Sequence, residues 1–88
     1  MLSSPKKVVF GNLILFVYDF IEKSDVLPMH NHISGGGHIS IVGRGSFEAK
    51  GDGWSKILNQ GDIVDWDDKQ NHEFISLEDN SRLINVVK

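Results

Sequence analysis

Short apolar runs rich in β-branched and aromatic residues, each closed by glycine, asparagine or aspartate, follow one another along this chain, and nowhere does a helical period persist. A chain patterned this way buries its apolar side chains by laying strands side by side, so an all-β fold is expected. Runs at 8–10 and 13–20 read as one or two strands, 26–32 as an extended piece broken by Pro28, and 38–42, 46–50, 54–58, 62–66, 72–77 and 82–87 as further strands. About eight short strands at close, even spacing predict a small barrel or a jelly-roll sandwich. Gly35, Gly36 and Gly37 read as a loop, because three glycines lose too much backbone entropy inside a strand. Gly43-Arg44-Gly45 and Gly51-Asp52-Gly53 read as hairpin turns. With 88 residues and no repeat or low-complexity linker, residues 1–88 are expected to form a single domain.

A domain this short buries only roughly 60–65% of the surface its unfolded chain exposes, so a metal or self-association would add useful stability. The net charge is -3 and the only paired basic residues are Lys6 and Lys7, which leaves a phosphate backbone little to hold; nucleic acid is not an expected partner. Cysteine is absent, removing disulfides, thiolate metal sites and cysteine nucleophiles together. The apolar run after Gly11-Asn12 ends at Asp19 without a small-residue cleavage site, and no apolar stretch has the length of a spanning helix. It reads as a strand of a cytoplasmic protein with no membrane partner.

Functional expectation rests on histidines. His30, His32 and His38 lie within nine residues, and His72 follows a polar turn. Side chains alternate across a strand, so His30 and His32 can project from one face, while His38 and His72 each open an apolar run. Neutral imidazole suits iron, manganese, nickel, zinc or copper, and four histidines do not choose among these divalent transition metals. Three or four nitrogens on one side of an ion with five or six ligand positions leave room for water or substrate. A filled tetrahedral site would instead be structural.

The residues resemble those of the cupins, a family of small β-barrels (double-stranded β-helix or jelly roll) whose first motif is G-x5-H-x-H-x3,4-E-x6-G and whose second is G-x5-P-x-G-x2-H-x3-N. His30-Asn31-His32 supplies the paired histidines and Gly45 closes the first motif, which sets His38 where the family usually carries glutamate. The second motif begins at Gly61 and its spacing reaches His72; the fifteen residues between Gly45 and Gly61 match the compact members. Ser24 stands at the leading glycine, one extra residue separates His32 from His38, and Asp67, Lys69 and Ser76 replace the proline, second glycine and asparagine. The resemblance implies a metal held by His30, His32, His38 and His72, with His38 either a ligand or a donor and proton shuttle behind the ligands. It implies a metal-dependent oxygenase or isomerase acting on a small organic acid, sugar or phenol. A non-catalytic binding or sensing barrel, with a structural metal or none, is the alternative, and a bare dimerisation scaffold is a third.

Ser40 and Phe74 lie two residues from His38 and His72 and are therefore expected on the same inward face, lining a substrate pocket. Trp54 and Trp66 read as barrel packing or a dimer face before a substrate platform. The acidic run Asp62, Asp65, Asp67 and Asp68 lacks the glycine and terminal glutamate of a calcium loop and reads as a solvated turn. A homodimer is expected, with the apolar run 13–20 pairing across a two-fold axis to protect an edge.

Overall fold

The computed structural model describes residues 2, 4–30, 38–66 and 72–87, with positions 28–30 and 38 described by their backbone alone. Nine strands are present: β1 (Lys6–Phe10), β2 (Leu13–Phe20), β3 (Val26–His30), β4 (His38–Arg44), β5 (Ser46–Gly51), β6 (Trp54–Asn59), β7 (Ile63–Asp65), β8 (His72–Ser76) and β9 (Ser81–Val87). They form a five-stranded sheet in the order β1-β2-β9-β4-β7 and a four-stranded sheet in the order β3-β8-β5-β6, antiparallel throughout. No helix occurs among the described residues, so none there is long and apolar enough to cross a membrane. The all-β jelly-roll expectation holds.

Alternation builds the core. On β9, Ser81, Leu83 and Asn85 are buried while Arg82, Ile84 and Val86 are half-exposed; on β8, His72, Phe74 and Ser76 are buried while Glu73 and Ile75 are not. The inward positions of both sheets meet in a cluster of Phe20, Val42, Phe47, Leu58, Trp66, Phe74 and Leu83, with Ala49 between. Phe20 and Phe47 pack edge to face, ring centroids 4.8 Å apart. Fully burying each of these large side chains contributes on the order of 1.5–3 kcal/mol.

Two sequence expectations change. Gly43-Arg44-Gly45 is not a hairpin: β4 belongs to the five-stranded sheet and β5 to the four-stranded one, so the chain crosses between sheets there. Gly45 takes φ +79°, and a side chain on it would collide with the Ser81 side chain, so the glycine serves a tight corner. The true hairpins are β1–β2, turning on Gly11-Asn12 with Gly11 at φ +59°, and β5–β6, turning on Asp52-Gly53. Strand β2 is also not an edge, because β1 flanks it on one side and β9 on the other. Pairing through its backbone across a two-fold axis would require one of them to leave.

Candidate functional site

His72 opens β8 and is wholly buried. Its alternation partner Phe74 is buried beside it, the two rings 5.6 Å apart and near perpendicular, so the structure sets both on the inward face. The register of β3 against β8 pairs His30 directly with His72, and opposed Cβ atoms in such a pair stand about 4.5–5.5 Å apart. A register shift between Leu27 and His30 accompanies the pairing. In the opposite sheet, His38 begins β4 at the position paired with Val87, two residues before buried Ser40. His32 lies outside the described residues, as do the side chains of His30 and His38. Among the described residues no three histidine, aspartate or glutamate side chains gather in a metal-holding group.

The aromatic surroundings of His72 escaped the sequence reading. Trp66, just beyond β7 and 2% exposed, lies nearly parallel to the imidazole, centroids 4.6 Å apart and planes 17° apart. Trp54 stacks on Trp66 at 5.5 Å and Phe74 meets it edge-on at 5.7 Å. The packing reading of Trp66 is correct, and what it packs against is the histidine. The orientation is fixed by a hydrogen-bond chain: the Trp66 indole N–H donates to Ser40 Oγ at 2.8 Å, and the Ser40 hydroxyl donates to Asn85 Oδ1 at 2.6 Å. Each bond polarises the next in an interior of low dielectric. Ser40 therefore sits inside as expected, with its hydroxyl engaged in holding the tryptophan.

Asn85 was legible in principle. It is the one polar residue within Leu83-Ile84-Asn85-Val86-Val87, at a position whose parity with Leu83 makes it inward. Lys56 on β6 completes the surround, its ammonium 5.3 Å from the Trp66 ring centre and 5.9 Å from that of Trp54, a cation over indole faces. The site thus has a buried imidazole, a second histidine on the neighbouring strand, an apolar wall that excludes water, and a cation one ring away.

The fold is a jelly roll in which the register pairs His30 with buried His72, and solved structures share that fold. KdgF from Halomonas sp. superposes with a TM-score of 0.82 and 25% sequence identity, covering 93% of this chain and 74% of that one. A cupin-2 domain containing protein from Shewanella frigidimarina gives a TM-score of 0.78 at 14% identity, covering 94% and 78%. An iron(II) form of HppE with an alternative substrate gives 0.77 at 19% identity, covering 96% of this chain and 48% of that one. No protein-family model matches the sequence, and no curated protein matches it. The chain has the fold of a small cupin domain.

Proposed function

We propose that this chain is a metal-binding cupin, with His30, His32, His38 and His72 as its ligand set, that acts on a small organic molecule as an oxygenase or isomerase. The observation that carries the proposal is the register pairing of His30 with the fully buried His72, which brings two imidazole-bearing residues together on rigid strands. Imidazole is a fitting donor for iron, manganese, nickel, zinc or copper. A bound ion of this kind would supply Lewis-acid polarisation of a substrate oxygen or one-electron chemistry.

The remaining work falls to the chain itself. Phe74 and Trp66 keep water from the imidazole, and Ser40 holds the indole through its N–H. The Lys56 ammonium supplies a positive charge at the edge of the aromatic stack, which favours an anionic group on the ligand. The likeness to HppE, an iron protein with a bound substrate, supports a small-molecule partner, while the fold leaves the reaction open.

Elemental analysis of protein purified without an affinity tag tests the proposal, beside a variant carrying His30→Ala, His32→Ala, His38→Ala and His72→Ala. Near-stoichiometric metal in the first and none in the folded second is the expected result. A folded wild type that stays metal-free after incubation with each of the five ions overturns it. Emission from Trp66 gives an independent readout, because a paramagnetic ion bound at His72 would quench an indole stacked on that ring.

A further inference from the structure

Asparagine suits the middle of a strand poorly, yet Asn85 stands there in β9, 6% exposed and turned toward the core. Its inward row runs Phe16, Asn85, Ser40 and Val64 through β2, β9, β4 and β7, so two polar side chains lie next to each other between apolar ones. That row is one step deeper into the barrel than the register pair of Val87 with His38.

A count of donors fixes which way the carboxamide points. An indole nitrogen only donates, so the Ser40 oxygen 2.8 Å from Trp66 Nε1 is an acceptor in that contact. The Ser40 hydroxyl proton then goes to its other neighbour, the Asn85 side chain at 2.6 Å, and only the carboxamide oxygen can receive it. Turning the carboxamide over would strand that proton, so the network holds one orientation. The NH2 group is left on the far side, where no described residue accepts from it and solvent reaches it.

We propose that Asn85 is a specificity-determining residue, its NH2 group donating to a carboxylate oxygen of the small organic molecule bound inside the barrel. The surroundings choose the carboxylate. Among the described residues no acidic side chain is buried, so an oxygen anion meets a fixed donor and no buried charge of its own sign. The Lys56 ammonium over the Trp66 and Trp54 rings adds a positive charge to the same wall. An inward amide donor without an acceptor is held at a desolvation cost, which a charged oxygen acceptor offsets better than a neutral one. The ligand class rests on the proposed function, since both take the barrel interior as the binding site, but the donor acts whether or not an ion is present.

Nuclear magnetic resonance of nitrogen-15-labelled protein tests this, with sodium acetate and methylammonium chloride as probes of opposite polarity. The chain is stripped of metal with a chelator so that acetate has no ion to bind, and the Asn85 amide pair is assigned through its own Cβ protons. Acetate should move the Asn85 amide signals with saturation, and the Trp66 indole N–H signal should follow because Ser40 links the two. Methylammonium should move neither. In Asn85→Leu, of similar shape, acetate affinity read at the Trp66 indole should fall at least tenfold. Should that variant fail to fold, Lys56→Met on the exposed face of the stack keeps the test valid: acetate should bind a few-fold more weakly and still move the Asn85 amide. No saturable response, a response that leaves the Asn85 amide unmoved, equal affinity in Asn85→Leu, or a response abolished by Lys56→Met overturns the proposal. Metal content of the protein as purified is measured separately. A responding Asn85 in a chain that never takes up metal removes the ion and keeps the donor, and a silent Asn85 in a metal-loading chain does the reverse.

Discussion

At the end of the barrel where β8 crosses to β9, Glu78 gathers three serines: its carbonyl accepts from Ser76 Oγ at 2.6 Å and Ser81 Oγ at 2.9 Å, and its carboxylate accepts from Ser46 Oγ at 2.7 Å. Backbone bonds lace the same end, Ser24 N–H to the Ser76 carbonyl at 2.8 Å and Leu77 N–H to the Ser46 carbonyl at 2.9 Å. At the opposite end, where β3 stops and β4 and β8 start, the buried polar side chains among the described residues are His72, Ser40 and Asn85, set among Trp66, Trp54 and Phe74. One end joins the two sheets by many short bonds within the backbone and its nearest side chains. The other holds aromatic surface and imidazole, groups that bind ligands. Stability and ligand binding should therefore separate along the length of the barrel.

The corner gives the largest expected effect. Gly45→Ala places a methyl group against Ser81 at a backbone angle that side chains avoid, and should lower unfolding free energy by about 2–4 kcal/mol. Urea denaturation measures the loss, and metal content per folded molecule should not change. A parallel loss of metal would show the two ends to be coupled.

The converse test acts at the other end. Saturating metal should raise wild-type stability by about 2.7 kcal/mol at a hundredfold excess over Kd. His72→Phe, similar in shape, should abolish that gain while shifting the metal-free protein by less than about 1.5 kcal/mol. If metal still stabilises His72→Phe fully, the ion is held elsewhere. Ser40→Ala comes next, at about 1–3 kcal/mol, because it deprives the Trp66 indole N–H and the Asn85 carbonyl of their shared partner. The loss should come with a red shift of tryptophan emission, and an unchanged spectrum would mean that packing alone orients the ring.

Much of this was legible from the chain, and the gaps have physical reasons. Strand positions follow from period-two alternation, a local property, and Phe74 and Ser40 fall inside as their parity with His72 and His38 requires. Which sheet a strand joins is not local: Gly45 has a positive φ in a crossing just as it would in a hairpin, so Gly43-Arg44-Gly45 misled. The stack of Trp66 on His72 depends on contacts between separate strands and left no mark in the spacing. Ser24 was legible as a departure from a glycine motif, and the structure gives its consequence. It holds φ +77°, a left-handed angle that glycine adopts freely and a residue with a Cβ does not. Ser24→Gly should therefore stabilise the corner by about 0.5–1 kcal/mol in urea denaturation, relief of strain slightly outweighing the added chain entropy. A destabilised variant would mean that the serine side chain contributes more than its backbone strain costs.

The smallest effect belongs to the outside of the same corner. Arg82 donates to both carboxylate oxygens of Asp19, at 2.8 and 3.2 Å. That hydrogen bonding holds the Asp19 carboxyl below its ordinary range against the opposing effect of burial, with the charges of Arg82, Arg44 and Lys6 adding to it. A carboxyl depressed in the folded state binds its proton more readily when unfolded. Its contribution is therefore complete above the unfolded value and is lost as pH falls through the folded one. Asp19 is one-third exposed and Arg82 more so, so solvent and salt screen the pair, and its worth at neutral pH should be small. Arg82→Gln should lower the urea midpoint slightly at neutral pH, and the difference from wild type should close as pH falls below the usual carboxylate range. A difference that persists in acid would assign the effect to the packing of the arginine stem beside Gly43 and Ile84 rather than to its charge.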